Sequence, residues 1–200
     1  MFISLEGTEG VGKSTQIQKL ADYFEQQGQS VVLTREPGGT ALAEQIRSLL
    51  LTVNDEPIAN ETELLLMYAA RVQHICQVIQ PALEQGKVVI SDRFADASFA
   101  YQCFGRGINP AYLEVLNQNF VQILPDLTFW LDAPIEVGMQ RAMQRGELDR
   151  FEQEKKEFFT CVREGYVQLH QQFPQRIKRL DATQNQQQVF EQALSFITQV

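Results

Sequence analysis

The stretch at residues 7–15 constrains this chain more than any other, because GTEGVGKST is a G-x-x-x-x-G-K-S phosphate loop. The apolar run at residues 1–5 before it predicts a buried strand. After it, apolar side chains recur every three or four positions over residues 17–24, which predicts an amphipathic helix. A strand, a glycine-rich turn and a helix are the context in which this motif holds phosphate. The sequence therefore predicts a nucleoside triphosphate site.

The residue types in this loop suit the phosphates of ATP. Its glycines let successive backbone N–H groups point at one anion, and the helix that follows adds its positive N-terminal end. Lys13 is expected to reach the β- and γ-phosphates and to face solvent until they arrive, and the Ser14 hydroxyl is expected to bind Mg²⁺. The predicted ATP-binding residues of the loop are Gly7, Thr8, Glu9, Gly10, Val11, Gly12, Lys13, Ser14 and Thr15.

Composition excludes several classes of partner. Twenty-five acidic and seventeen basic residues give a formal net charge of −8, which argues against non-specific binding to nucleic acid or to anionic membranes. Cys76, Cys103 and Cys161 are widely spaced and form no C-x-x-C pair, so neither a disulfide framework nor a zinc site is indicated. No apolar run is long enough to span a membrane, and the first residues already read as a strand. We therefore expect a cytoplasmic protein with no membrane partner.

Strand patterns alternate with helical patterns along the rest of the chain. The later strand patterns lie at residues 30–34, 87–92, 127–132 and 177–180. This alternation predicts an α/β fold, a three-layer α/β/α sandwich around a five-stranded parallel sheet, in a single domain over residues 1–200. Ligands of such a sheet collect beyond the carboxyl ends of its strands, where the glycine-rich and charged segments of this chain fall.

The helical patterns also assign side chains to faces. Phe120 is placed on the buried face of a helix that begins at Pro110. His74 and His170 are interpreted as ordinary helix residues. Residues 146–154 are charged and poor in apolar side chains, which predicts a surface segment rather than core.

Arginine is concentrated at predicted loop and helix positions of this acidic chain. These arginines are Arg35, Arg47, Arg71, Arg93, Arg106, Arg141, Arg145 and Arg150. Guanidinium groups fit phosphate oxygens bidentately, so the set predicts a second anionic ligand beside the triphosphate. The chain lacks an N-K-x-D motif for guanine, which argues against a GTPase. A phosphorylated acceptor needs no general base, and catalysis then consists of positioning and charge stabilisation.

Two predicted strands end in aspartate, Asp92 and Asp132, and either could hold the metal through water. We favour Asp92, because Arg93 follows it and would place a phosphate-binding guanidinium beside the metal carboxylate. The alternative for Asp132 is a structural role.

Five motifs together resemble bacterial thymidylate kinases. They are GTEGVGKST at 7–15, TREPGGT at 34–40, DRF at 92–94, AYQ at 100–102 and RGELDRFE at 145–152. The match runs nearly end to end and is far more specific than the phosphate loop alone. It implies a nucleoside monophosphate kinase-like fold, transfer of phosphate from ATP to dTMP to give dTDP, a need for Mg²⁺, and a cytoplasmic homodimer.

The resemblance also implies roles on the acceptor side. Glu9 faces the sugar 3′-hydroxyl, Arg93 binds the dTMP phosphate, and Tyr101 crowds a ribose 2′-hydroxyl. The thymine is read by Arg71, Ser98 and Gln102. The predicted acceptor site is completed by Glu36, Pro37, Arg47 and Met67. Met67 stands where the family usually has a phenylalanine that stacks on the base, and the neighbouring Tyr68 is the alternative platform.

The family supplies its catalytic arginine either from the phosphate loop or from a mobile lid. The loop of this chain contains no arginine and no lysine before Lys13, so the resemblance implies a lid type, with the lid at about residues 141–154. The predicted catalytic residues are Lys13, Arg93 and Arg145, and Arg141 joins Arg145 in binding ATP. Arg141 and Arg150 remain alternatives for the catalytic arginine.

Two other functions stay open at this point. One is a P-loop kinase for another nucleoside monophosphate or for a deoxynucleoside. The other is a protein that binds ATP without turning it over, and an assay of ADP release with and without dTMP separates it from a kinase.

Overall fold

The runs that read as strands form one parallel sheet in a computed structural model that describes residues 1–53, 55–144 and 149–197. The strands are β1 (Phe2–Glu6), β2 (Val31–Arg35), β3 (Val88–Asp92), β4 (Leu127–Asp132) and β5 (Ile177–Asp181). Their order across the sheet is β2-β3-β1-β4-β5. The central strands β1 and β4 are buried along their whole length, because helices cover both faces of a parallel sheet.

Helices connect the strands, and three of them continue into π-helical turns. The helices are α1 (Lys13–Gln26), α2 (Ala41–Leu51), α3 (Asn60–His74), α4 (Gln80–Glu84), α5 (Ala95–Ser98), α6 (Pro110–Leu116), α7 (Ile135–Met143), α8 (Lys156–Gln172) and α9 (Gln186–Ile197). The π-helical turns follow α3 at Ile75–Ile79, α5 at Phe99–Gly105 and α6 at Asn117–Val121. The helix-strand alternation and the parallel sheet confirm the α/β prediction.

Side chains of β1 alternate between the two faces of the sheet, as the pleat of a strand requires. Ile3 and Leu5 pack in the apolar layer formed with α1 and α9. Phe2 points to the opposite layer, which includes the buried side of α3. Glu6, two residues beyond Ser4, shares the side of Phe2, and this alternation places a carboxylate inside the protein directly before the phosphate loop.

The register of the sheet brings the charged strand ends to one edge. Asp92 of β3 pairs with Leu5 of β1 on one side and with Arg35 of β2 on the other. Asp132 ends β4 at the same edge. The convergence of these residues follows from parallel strands that end together.

Two expectations about burial outside the phosphate loop are wrong. Phe120 is 57% exposed, because it lies in a π-helical turn whose wider spacing rotates it outward, and Val121 takes the buried position at 3% exposed. Phe151 is 6% exposed and packs at 6.0 Å between ring centroids against Tyr101, so residues 149–154 are not simply a surface segment. Residues 146–148 of that predicted segment lie outside the described residues, as do residue 145 and residues 198–200.

In the part of the chain that the structure describes, no helix is both long and apolar enough to cross a membrane.

Candidate active site

The phosphate loop forms the tight turn between β1 and α1. Gly7 has φ 131° and Gly10 has φ 71°, backbone conformations that residues other than glycine rarely adopt. A Cβ atom on Gly7 would lie 2.5 Å from the carbonyl oxygen of Leu131, and one on Gly10 would collide with the Gly138 carbonyl. The loop is therefore packed against β4 and α7 so closely that only glycine fits.

Lys13 is buried rather than solvent-facing, which corrects the expectation from the sequence. Its Nζ donates hydrogen bonds to the carbonyl oxygens of Gly7, at 3.2 Å, and Thr8, at 3.0 Å. Burial, and then repulsion from Arg93, lowers the pKa of Lys13 to about 8. The loop carbonyls occupy the ammonium donors, and phosphate oxygens would be stronger partners for the same charge.

A cavity of about 630 Å³ extends from the phosphate loop to α3. It is lined by every residue predicted for the acceptor site, namely Glu9, Glu36, Pro37, Arg47, Met67, Arg71, Arg93, Ser98, Tyr101 and Gln102. On the donor side it is lined by Gly10, Gly12, Lys13, Ser14, Thr15 and Arg141. The other loop residues predicted to bind ATP, Gly7, Thr8 and Val11, do not line it, and Val11 is buried at 4% exposed.

Arg93 connects the acceptor side of the cavity to the phosphate loop. Its φ of 71° turns the chain sharply after β3. Its guanidinium donates to the Gly7 carbonyl at 2.8 Å and to Glu9 Oε1 at 2.8 Å, and lies 4.8 Å from the centre of the Tyr101 ring. The Tyr101 hydroxyl donates to the same Glu9 carboxylate at 2.8 Å. Arg93, Glu9 and Tyr101 are thus held as one unit.

Arg71 lies at the far end of the cavity, paired with a buried carboxylate. Its Nε donates to Glu36 Oε2 at 2.6 Å and its Nη2 donates to Ser98 Oγ at 3.0 Å. Its Nη1 is buried and has no hydrogen-bond partner among the described residues. The guanidinium carbon lies 4.7 Å from the centre of the Tyr68 ring. One donor of a buried arginine is therefore left for a ligand.

Met67 and Tyr68 occupy different environments. Met67 lines the cavity. Tyr68 is 3% exposed, and its hydroxyl donates to Asn117 Oδ1 at 2.9 Å, away from the cavity. This placement supports Met67 as the side chain beside a bound base, and it leaves Tyr68 as the support beneath Arg71.

His74 is more than an ordinary helix residue, as it was interpreted from the sequence. It is fully buried, with Nδ1 3.0 Å from Glu36 Oε1 and Nε2 2.6 Å from Thr34 Oγ1. The Glu36 carboxylate therefore lies between His74 and Arg71. The helical spacing of Met67, Arg71 and His74 already placed these side chains on one face, and that signal was available in the sequence.

Glu6 is a second buried group that the sequence reasoning missed. Its carboxyl accepts hydrogen bonds from the Phe94 N–H at 2.7 Å and from the Tyr166 hydroxyl at 2.8 Å. Burial, and then the charge of Asp96, raises the pKa of Glu6 to about 8. Its acidic side chain at the end of an otherwise apolar strand was the available signal.

The two strand-end aspartates differ in their hydrogen-bond partners. Asp92 lines the cavity, and its Oδ1 is buried without a hydrogen-bond partner in the described residues. Asp132 is held by two arginines, accepting from Arg163 at 2.6 and 2.8 Å and from Arg179 at 2.9 Å. An unpartnered carboxylate oxygen is free for a cation or water, whereas a doubly paired carboxylate is not.

The arginines at residues 141–150 point in different directions. Arg141 is exposed, and its Nη1 lies 3.5 Å from the Gly10 carbonyl of the phosphate loop. Arg150 turns away from the loop, donating to the Leu50 carbonyl at 2.6 Å and to Glu63 at 2.7 Å. Arg145 lies outside the described residues. Arg141 is therefore beside the donor site, and Arg150 belongs to an inward ion pair.

The family model described as thymidylate kinase matches residues 5–193 of this chain. Over 198 residues the chain is 68% identical to a thymidylate kinase of Acinetobacter baumannii (strain SDF), an alignment that covers 98% of this chain and 100% of the relative. It is 56% identical over 187 residues to a thymidylate kinase of Pseudomonas putida, with 92% and 89% covered.

A solved structure agrees with the sequence comparisons. The crystal structure of thymidylate kinase from Ehrlichia chaffeensis superposes with a TM-score of 0.81 at 32% identity, covering 100% of this chain and 98% of that one. Identity at this level over 100% of this chain and 98% of that one extends the agreement from the fold to the family. This chain belongs to the thymidylate kinase family.

Proposed function

We propose that this chain transfers the γ-phosphoryl group of ATP to dTMP, giving ADP and dTDP. The observation that carries the proposal is a cluster of guanidinium groups at the acceptor end of the cavity. Arg47 lines the cavity and donates to the Pro37 carbonyl at 2.8 Å, and no carboxylate pairs with it among the described residues. Burial lowers the pKa of Arg47, and repulsion from the neighbouring Arg35 and from Arg93 lowers it further. Cations that repel one another beside a phosphate loop favour a bound anion.

On the donor side, the loop backbone and Lys13 bind the β- and γ-phosphates. The Lys13 ammonium moves from the carbonyls of Gly7 and Thr8 to the phosphate oxygens, where its charge stabilises negative charge on the transferring group. Arg141, beside Gly10, is placed to contact the same nucleotide. These contacts position the γ-phosphoryl group and reduce repulsion between donor and acceptor.

Mg²⁺ fits the residues at this point, and we propose Ser14 and Asp92 as its holders. The buried, unpartnered Oδ1 of Asp92 and the exposed hydroxyl of Ser14 line one cavity, and Mg²⁺ usually takes few protein oxygens together with phosphates and water. When bound, Mg²⁺ neutralises charge on the donor phosphates.

On the acceptor side, Arg93 binds the dTMP phosphate and Glu9 accepts from the sugar 3′-hydroxyl. Tyr101, held by Glu9, closes the space that a 2′-hydroxyl would need. The free Nη1 of Arg71 donates to the base, and Ser98 and Gln102 line the same wall. Since the acceptor phosphate is already ionised, none of these residues has to remove a proton from it.

A lid at about residues 141–154 completes the site in this proposal, and it supplies Arg145 to the transferring group. Arg106 ties Glu154, at the end of the lid segment, to Glu63 on α3, with distances of 2.5 and 3.2 Å.

We further propose that the chain works as a homodimer in the cytoplasm. Four exposed apolar side chains lie on α3 and on the helical segment from Pro110 to Val121, which the Tyr68–Asn117 hydrogen bond joins. They are Leu65, Tyr112, Val115 and Phe120, each more than half exposed. Light scattering with Phe120→Asp tests this face, since the proposal expects the variant to be monomeric and folded.

A coupled assay of ADP release tests the function directly. ADP release should require dTMP and a divalent cation. Its rate should decrease from dTMP to dUMP to UMP, and thymidine should be inactive because it lacks the acceptor phosphate. Rapid turnover of thymidine, or ADP release that does not depend on any acceptor, would contradict the proposal.

A further inference from the structure

Glu63 is a fully buried carboxylate on α3 that faces three N–H donors from other parts of the chain. It accepts from Gln102 Nε2 at 2.9 Å, from Arg106 Nε at 3.2 Å and from Arg150 Nη2 at 2.7 Å. Glu63 lies behind the cavity wall, whereas Gln102 lines the cavity. The carboxylate therefore touches a residue of the acceptor site without facing the ligand itself.

This contact determines which end of the Gln102 amide faces the cavity. A carboxylate paired with Arg106 and Arg150 can only accept hydrogen bonds, so the amide must turn its NH₂ group toward Glu63. The Gln102 Oε1 atom then points the other way, and it accepts no hydrogen bond from the described residues. Without Glu63, the amide could present either its oxygen or its nitrogen to a ligand.

The same wall places a donor beside this acceptor. Ser98 and Gln102 are four residues apart in one helical segment, and Ser98 Oγ holds the Arg71 guanidinium at 3.0 Å. Arg71 Nη1 is the buried donor without a partner in the described part of the chain. A donor next to an acceptor matches the C4 carbonyl and N3–H of thymine or uracil. Cytosine presents an amino group and a bare N3 there, which is the opposite pattern.

We propose that Glu63 is a specificity-determining residue, which selects pyrimidines with an N3–H donor by holding the Gln102 amide in one orientation. The inference rests on the proposed function, because it assigns the base to this wall of the cavity. The bare N3 of cytosine would face Gln102 Oε1, and both of these atoms are hydrogen-bond acceptors. A buried acceptor left unpaired costs about 1–3 kcal/mol, or roughly 5- to 150-fold in affinity.

The test is Glu63→Gln, which keeps the size of the side chain and provides both a donor and an acceptor to Gln102. We expect the ratio of kcat/KM for dTMP to kcat/KM for dCMP to fall about tenfold. Where dCMP acts only as a competitor, the ratio of its inhibition constant to the KM for dTMP should fall by the same factor. The preference for dTMP over dUMP should stay within about twofold, because both bases carry the same edge and differ only in a methyl group.

Arg106→Gln is the matched control, because it breaks an ion pair at the same carboxylate while Glu63 remains an acceptor. It should leave both preferences within about twofold of the wild-type values. If the single Glu63 variant does not fold, Glu63→Gln combined with Arg106→Gln removes one charge of each sign, and it should show the same loss of discrimination.

The two proposals fail in different ways. A wild-type protein that releases no ADP with dTMP contradicts the proposed function. An active wild type, with a Glu63→Gln variant that rejects dCMP as strongly as before, overturns only the role of Glu63. An equal loss of discrimination in Arg106→Gln overturns it too, since loss of charge pairing would then explain the effect.

Discussion

The donor end and the acceptor end of the cavity are built in different ways. The donor end is formed mainly by one contiguous turn, in which the carbonyl oxygens of Gly7 and Thr8 hold the Lys13 ammonium. The acceptor end consists of side chains from distant parts of the chain, such as Arg71 and Glu36, which are 35 residues apart. Backbone is held by the loop conformation, whereas side chains need partners. The acceptor end is consequently supported by buried carboxylates such as Glu36.

The largest effect is expected from Arg145→Ala, which tests whether the donor end needs a charge from outside the loop. We expect kcat to fall about 10³-fold or more with little change in dTMP affinity, because the charge acts mainly on the transferring group. Steady-state kinetics and calorimetric titration of dTMP measure the two effects separately. If Arg145→Ala is near wild type and Arg141→Ala is inactive, the lid supplies a different arginine from the one proposed.

Lys13→Ala should lower kcat about 10²- to 10³-fold, because it removes one preorganised charge from the donor end. The dTMP affinity should change by less than about threefold, since Lys13 donates its hydrogen bonds to the loop carbonyls of Gly7 and Thr8. Circular dichroism should show a folded protein. A variant that is unfolded, or one that retains normal kcat, would contradict the role assigned to Lys13.

His74→Leu tests the support of the acceptor end. It removes one hydrogen bond from buried Glu36 and should raise KM for dTMP about tenfold, while KM for ATP changes by less than about twofold. His170→Leu is the matched control, because His170 bonds the Ile177 carbonyl outside the cavity. Its effect should be on thermal stability alone. Equal changes in both KM values for His74→Leu would show that the two ends are not independent.

Met67→Phe should change dTMP affinity by less than about tenfold. A thioether against an aromatic ring contributes about 0.3–1.5 kcal/mol and an aromatic pair about 0.5–1.5 kcal/mol, so the two side chains are nearly equivalent. Met67→Asp should weaken binding much more, because it places an unpaired carboxylate beside an apolar base. Normal dTMP binding by Met67→Asp, together with loss of binding in Tyr68→Ala, would show that the base contacts Tyr68 rather than Met67.

The smallest effect concerns Glu6, which ends β1 directly before the phosphate loop and accepts a hydrogen bond from the Phe94 N–H. Burial raises its pKa to about 8 from the ordinary value of 4.5, so the folded state binds its proton more tightly than the unfolded state. Stability should therefore decline as pH rises from about 4.5 to 8 and level off above that range. Between pH 5.5 and 8 the melting temperature of Glu6→Gln should fall by a few degrees less than that of the wild type. If the melting temperatures of the two proteins change equally with pH, the raised pKa of Glu6 is contradicted.

The phosphate loop, the parallel sheet and the site at the strand ends could be predicted from the sequence. Each depends on local information: glycine spacing for residues 7–12, apolar periodicity for the strands, and the handedness of crossovers for the edge where they meet. The family motifs added the acceptor residues, and the structure brings all of those residues to one cavity. The helical face that carries Glu63 and His74 was visible in the sequence, but the partners of these side chains were not.

Tertiary structure alone decided which charges are paired and which stay free. Glu63 meets Gln102 across 39 residues, and Asp132 is occupied by Arg163 and Arg179, while one oxygen of Asp92 has no partner among the described residues. It also decided the exposure of Phe120, because one π-helical turn rotates every following side chain. Sequence patterns describe neighbours along the chain, whereas the value of a buried charge depends on groups that only folding brings within hydrogen-bonding distance.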